Sequence, residues 1–177
     1  MRTILIDDVI AIEKSSKHSK IIGNLGEHLI CNWLSRSGFE VALVDHTGID
    51  IIAYNPKNQR RLGITVKSRT RSKGTETTSV NLFRQNKRNP DKEKVEKACK
   101  AFGCEPWIGV YVETTDYADL FLTSLENFED KYCISREKKL ITWKMKQKDV
   151  EAYRKDSEIM HLHIGFSSEK WFTKVMV

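Results

Sequence analysis

An acid and a lysine stand at matching ends of two adjacent β-type runs in this chain. The first run, Asp45 to Tyr54, contains Asp50. After a polar turn built on Asn55, Pro56 and Asn58, the second run, Leu62 to Arg69, contains Lys67. Two β-rich runs around such a turn predict an antiparallel hairpin. Its partners run in opposite directions, so the start of the first strand lies beside the end of the second, and Asp50 approaches Lys67. Side chains alternate along a strand, so Thr65 and Lys67 share one face and Ile64 and Val66 the other. The apolar face can join a core while the polar face lines a site. Without further context the same residues describe a surface ion pair worth ~0–1 kcal/mol.

Elements that would position this hairpin flank it on both sides. From Ile21 to Arg36, the residues Ile22, Leu25, Leu29, Ile30, Trp33 and Leu34 recur at helical spacing, and Ser37-Gly38 ends the pattern. Glu27 falls roughly 20° beyond Leu34 at the border of that apolar stripe, so its carboxylate can reach the edge of whatever the helix packs on. Phe39 to Val44 reads as a strand. Ser72 to Asn89 is polar and reads as a loop or irregular strand over the site. Pro90 and Asp91 start a helix that runs to Phe102 with Gly103 beyond its end. Strands at Trp107–Val112 and Ala118–Leu122 follow, then a helix start after Ser124. Strand, helix and strand are expected at Leu140–Met145, Gln147–Lys155 and Ile159–Ile164. Helices interspersed with strands around an early hairpin indicate an α/β fold, with helices flanking a mixed central sheet.

The chain has 177 residues, of which 40% are hydrophobic and 31% charged. That length fits a single domain with a real core, here taken as 1–177, and no apolar run approaches the ~18 residues of a membrane span. The segment Met1 to Ile12 carries acids at Asp7 and Asp8 and lacks the features of a secretory leader. Cys31, Cys99, Cys104 and Cys133 form no C-x-x-C pair and read as reduced, buried thiols of a cytoplasmic protein. His161 and His163 alternate along a short strand and are placed to share a metal, but no further ligand cluster accompanies them, so zinc is not expected there. The tail from Ser167 to Val177 has the apolar residues to pack back on the core or to contact a second subunit in a homodimer.

Charge narrows the partner. Residues 57–100 contain fourteen Lys or Arg and four acids, a net +10 within a chain of +6, which leaves −4 for the remainder. A concentrated basic block beside a polar hairpin face suits a polyanion such as nucleic acid, because neutralised phosphates supply most sequence-independent affinity. Arg69, Arg71, Lys73, Arg84 and Lys87 are the candidate contacts. A solvated charged face is the competing reading.

The order helix glutamate, strand, hairpin aspartate, then lysine on the next strand resembles the PD-(D/E)xK nuclease superfamily, which includes restriction endonucleases and archaeal-type Holliday-junction resolvases. The resemblance covers about residues 21–113. It rests on Gly23-Asn24-Leu25-Gly26-Glu27, Gly48-Ile49-Asp50-Ile51-Ile52-Ala53 and Ile64-Thr65-Val66-Lys67-Ser68-Arg69. It implies a restriction-endonuclease-like core with a C-terminal α/β extension, acting as a metal-dependent DNA endonuclease. Asp50 would hold Mg²⁺ or Mn²⁺, Glu27 would ligate through a water or hold the site from the helix, and Lys67 would orient the attacking water. The family expects an acid, or sometimes glutamine, two residues before the lysine, where this chain has Thr65. A hydroxyl is a poorer Mg²⁺ ligand than a carboxylate. Either the site is weak, or another acid substitutes, with Glu76 and Glu113 the first candidates, or the chain is a nucleic-acid-binding protein that keeps the nuclease fold without cleavage.

Overall fold

Helix α1 (His18–Arg36) lies down on a sheet because the sequence leaves it room to do so. Its buried residues Ile22, Gly26, Ile30 and Leu34 form one stripe, and Leu25, counted with that stripe from spacing alone, faces outward instead. A side chain at Gly26 would collide with Ser68 Oγ and would come within 3.1 Å of Tyr111 Cβ, so glycine sets how closely the helix approaches the strands. The residue that follows, Glu27, is half-buried.

The computed structural model describes residues 14–84, 90–133 and 140–166. Six strands, β1 (Glu40–His46), β2 (Ile49–Tyr54), β3 (Arg61–Thr70), β5 (Glu105–Glu113), β6 (Tyr117–Ser124) and β8 (Met160–Gly165), form the central sheet in the order β1-β2-β3-β5-β6-β8. The β3–β5 pair is parallel and all others are antiparallel, so the sheet is mixed, as the interspersed helices indicate. The parallel pair needs a long crossover, which β4 (Val80–Arg84) and α2 (Asp91–Phe102) supply. The remaining elements are α3 (Leu125–Lys131), β7 (Leu140–Trp143) and α4 (Gln147–Lys155). The expected architecture of a mixed central sheet flanked by helices is the one observed.

Alternation along β3 separates two cores. Leu62, Ile64 and Val66 pack with Ile22, Ile30 and Leu34 of α1 on one face. On the other face Gly63 lies under α2, where an added Cβ would sit 2.6 Å from Cys99 Sγ. The second core gathers Val95 and Cys99 of α2, Val110 and Val112 of β5, Phe121 of β6, and the aromatic residues Phe83, Phe128, Trp143 and Tyr153. Burying each large apolar side chain stabilises the fold by roughly 1.5–3 kcal/mol, so neither face is a minor contributor.

Two expectations need correction and one is made definite. The segment read as a loop or irregular strand over Ser72–Asn89 contains β4, which pairs with β7, with a register shift between Asn81 and Phe83, in a separate two-stranded sheet covering the second core. Among its described residues Val80, Leu82 and Phe83 are buried. Pro90 is the residue before α2 rather than within it. Of the four thiols only Cys99 is buried, and all four are free of disulfides. The apolar run at Ile4–Ile12, Lys87 and the tail Ser167–Val177 lie outside the described residues. Among the described residues no helix is long and apolar enough to cross a membrane.

Candidate active site at the open end of the hairpin

The β2–β3 register pairs Ile51 with Ile64 and Tyr54 with Arg61, so Asp50 stands opposite Thr65 at the end where the two strands part. There the Asp50 carboxylate is fixed through one oxygen. Its Oδ2 accepts a 2.6 Å hydrogen bond from the Val66 backbone N–H and a 3.3 Å bond from Thr65 Oγ1. Oδ1 accepts no hydrogen bond among the described residues. Thr65 is buried, and its hydroxyl orients the aspartate from the position where a second carboxylate was expected.

Asp50, Thr65 and Lys67 line a cleft of about 260 Å³ together with Thr47, Gly48, Asp91 and Lys94. Gly48 makes this closure possible. Its φ of +114° disfavours any side chain, and an added Cβ would lie 2.5 Å from the Lys94 carbonyl. The hairpin entry and the first turns of α2 therefore touch directly.

Glu27 reaches the same chemistry from α1. Partial burial pushes its carboxyl above the usual range, and the Asp50 charge pushes it the same way, while His28 and Lys67 pull it back. Half-buried Glu27 on α1 is thus near enough to Asp50 and Lys67 to feel both charges.

Neither substitute acid named from sequence stands beside Asp50. Glu113 pairs with Thr70 on the parallel strand, and there it accepts hydrogen bonds from Thr70 Oγ1 at 2.8 Å and Tyr111 OH at 3.2 Å. Alternation puts Thr70 on the α1 face, opposite Thr65 and Lys67. Glu76 belongs to the loop after β3, where its carboxylate accepts the Gly74 N–H at 2.9 Å and raises the Tyr117 hydroxyl on β6 after burial and Asp119.

The acid that does enter the cleft is Asp91, at the first position of α2. Burial pushes its carboxyl up. Lys94, the Arg84 N–H and the charge of Lys67 outweigh that and hold it below the usual carboxylate range. Its Oδ1 accepts from Lys94 Nζ at 2.9 Å and its Oδ2 from the Arg84 N–H at 3.0 Å. Sequence reasoning read Asp91 only as a helix start. The available signal was an acid at a helix N-terminus within a basic block, where the dipole favours it.

The basic block divides on folding. Lys92, Lys94 and Lys97 on α2 pair with Glu129, Asp91 and Glu93, and Arg60 pairs with Glu105. Arg71 donates through Nη2 to the Thr78 and Ser79 carbonyls at 3.0 and 2.9 Å, which ties it to the loop. Arg69 and Arg84 remain exposed and line a second groove of about 370 Å³ that also includes Lys67 and Asp91. Lys73 is exposed in the loop. The groove therefore continues the Asp50 cleft with cations.

A separate group of potential metal ligands stands on β6 and β8, where Asp119, His161 and His163 place one ligand atom each within 4.8 Å of one another. The third ligand absent from the sequence reading is Asp119, which strand pairing sets opposite His163.

No family model matches this chain, and no curated protein does. Among solved structures, it is similar to Hjc, a Holliday junction resolvase from the archaeal hyperthermophile Archaeoglobus fulgidus. The TM-score is 0.49 and the identity 18%, over 73% of this chain and 88% of that one.

Proposed function

We propose that this chain is a metal-dependent DNA endonuclease of the PD-(D/E)xK type, folded as one domain with its nuclease-like core over about residues 21–113. The observation that carries the reading is the shared cleft. Asp50 and Lys67 line it, Glu27 is electrostatically coupled to both, and cationic Arg69 and Arg84 extend it as a groove.

The donor set suits a hard divalent cation. The free Oδ1 of Asp50 and the nearby carboxylate of Asp91 are oxygen donors at one cleft, matching the one or two carboxylates that Mg²⁺ takes while retaining waters. Bound there, Mg²⁺ or Mn²⁺ would acidify water and offset charge on the phosphate. Asp50 is oriented for this by Val66 N–H and Thr65 Oγ1. Glu27, with its raised proton affinity, is suited to hold a water by hydrogen bonding. Lys67 supplies a fixed positive charge to the phosphoryl oxygens, and Arg69 and Arg84 hold the flanking phosphates.

Thr65 supports a second reading, a DNA-binding protein of nuclease fold that does not cleave, because its hydroxyl engages Asp50 where a ligand carboxylate is expected. Wild type, Asp50→Ala and Thr65→Glu assayed on duplex, single-stranded and branched DNA with Mg²⁺ or Mn²⁺ separate the two. Wild-type cleavage that is lost in Asp50→Ala supports the enzyme. Cleavage in Thr65→Glu alone supports the binder. Absence of cleavage and of metal binding in all three proteins rejects the catalytic reading.

A further inference from the structure

The residues Asp119, His161 and His163 sit well away from the Asp50 cleft on the sequence, and two of them come from the edge strand β8. Asp119 is opposite His163 in the β6–β8 ladder, and His161 is opposite Phe121, two residues along. With a period of two, all three side chains must project from the same face. His161 Nε2 and His163 Nδ1 each approach Asp119 Oδ1, at 2.7 and 2.8 Å. The Asp119 side chain is 4% exposed, whereas His163 is 47% exposed. His161 is held by stacking on Phe121, with ring centroids 4.6 Å apart and planes 14° apart.

We propose that Asp119, His161 and His163 form a binding site for a divalent transition metal of the zinc class. Two imidazole nitrogens and one carboxylate oxygen are a recognised ligand set for borderline metals, whereas Mg²⁺ prefers oxygens alone. Tetrahedral zinc with bonds of ~2.0–2.1 Å separates its ligands by about 3.3 Å, so each imidazole nitrogen has to move about half an ångström away from Asp119 Oδ1. The exposed His163 ring has the freedom to do this. His161 and Asp119 are the fixed members, one stacked and one buried.

The fourth position opens toward solvent. Asp119 and His163 line a cleft of about 350 Å³ whose wall also includes Tyr117, Gln147, Glu151 and Arg154. The Arg154 guanidinium lies 3.7 Å from Asp119 Oδ1 and is itself 47% exposed. That cation offsets the carboxylate in the metal-free protein. On metal binding it can swing outward and face a water or small anion at the open position. The site is built across one strand pair, so the metal also pins edge strand β8 to β6.

Zn²⁺ titrated into the full chain by calorimetry, with Co²⁺ as a spectroscopic probe, tests the assignment. One equivalent is expected in wild type and in Asp50→Ala, with affinity at least tenfold lower in His163→Ala and in His163→Asn. His163 is exposed, so these variants should keep the metal-free thermal midpoint, and Zn²⁺ should raise the midpoint of wild type and of Asp50→Ala by more than it raises theirs. Bound Co²⁺ should show ligand-field bands without a thiolate charge-transfer band, which sets this site apart from Cys31, Cys104 and Cys133. Unchanged affinity in both His163 variants, a thiolate band, or no Zn²⁺ binding by wild type would overturn the proposal. Loss of the Zn²⁺ equivalent in Asp50→Ala would overturn it as well, since the metal would then belong to the hairpin cleft.

Discussion

Asp50 and Asp119 are two carboxylates on the same central sheet, held in opposite ways. Asp50 takes its hydrogen bonds from a backbone N–H and a hydroxyl and leaves Oδ1 toward a cleft bordered by α2. Asp119 is nearly enclosed and is faced by two imidazoles and an arginine. The rows Lys67–Val110–Phe121–His161 and Arg69–Val112–Asp119–His163 cross the sheet through matched registers. Strands stand ~4.8 Å apart, so β3 and β6 are about 10 Å apart across β5. Buried Val110 and Val112 lie between the two regions, in the core that β4 and β7 cover. A site assembled from α1, β2, β3 and α2 can be re-aimed by helix movement and leaves oxygens open for a hard cation. A site on one strand pair is fixed by register and gathers nitrogen donors.

The sharpest break between the regions is functional. On the proposed nuclease reading, Asp50→Ala should reduce metal-dependent DNA hydrolysis by about a thousandfold or more, because it removes the cleft carboxylate whose Oδ1 accepts no hydrogen bond among the described residues. His163→Ala should leave hydrolysis within about twofold while lowering Zn²⁺ affinity at least tenfold. Initial rates with saturating Mg²⁺, set beside Zn²⁺ calorimetry, read both. Equal loss of hydrolysis in the two variants would mean that the regions act as one site. Asp91→Asn belongs between these extremes. A loss of tenfold or more with weakened Mg²⁺ binding would show that α2 supplies the acid absent at Thr65.

How much of each region was legible follows from the separation of its parts along the chain. Asp50, Thr65 and Lys67 lie within one hairpin, so alternation and turn chemistry gave their relation, and the α1 stripe gave the border position of Glu27. Asp91 escaped because its place depends on the crossover that brings α2 back against Gly48. His161 and His163 were visible as a pair, but their partner is 42 and 44 residues away, and only β6–β8 pairing reveals it. The irregular-strand alternative for Ser72–Asn89 could not be settled for the same reason, since β4 pairs with β7 far along the chain. Glu113 could not be placed from sequence because parity along β5 and β3, which sends it to the α1 face, needs the parallel register.

Packing gives the next break. Gly26→Ala places a methyl group against Ser68 Oγ and Tyr111 Cβ, so α1 must lift or Ser68 must turn. Overpacking of this kind costs about 1–3 kcal/mol. Lifting α1 withdraws Glu27 from Asp50 but leaves β6 and β8 in place. Denaturant unfolding should show the stability loss, and hydrolysis should fall while Zn²⁺ affinity holds. Parallel losses in both would place α1 under the whole sheet rather than under one site.

Acid should act on the β8 side instead. The Asp156 side chain is only 6% exposed, and that enclosure pushes its carboxyl up. The Glu158 N–H, Tyr132 OH, Asn127 Nδ2 and Lys131 Nζ outweigh that and hold it down at about 2. The folded pKa is depressed, so its stabilisation is present above the ordinary carboxylate value near 4 and is lost as pH falls toward 2. Its size is on the order of 1–2 kcal/mol at neutral pH. Asp156→Asn should remove that increment at pH 7 and show a smaller difference from wild type at pH 2.5, measured by urea unfolding at both values. An equal difference at both would mean that the carboxylate charge is not what binds α3 to the turn before β8.

The smallest expected effect separates cations that look alike in sequence. Arg84 is exposed and lines the groove that continues from Lys67, whereas the Arg71 guanidinium is committed to the Thr78 and Ser79 carbonyls. A phosphate contact releases counterions when it forms, so Arg84→Gln should flatten the dependence of log K on log salt for duplex DNA by about one unit. Arg71→Gln should leave the slope unchanged. Its loss frees a loop tether instead, and hydrogen exchange should rise at residues 72–79 without any change in salt dependence. Arg69→Gln and Lys73→Gln extend the series, with Arg69 expected to follow Arg84 because both line the same groove. Anisotropy titrations at several salt concentrations resolve a one-unit difference. If Arg71→Gln flattens the slope as much as Arg84→Gln does, the loop opens when DNA binds and its guanidinium moves to phosphate.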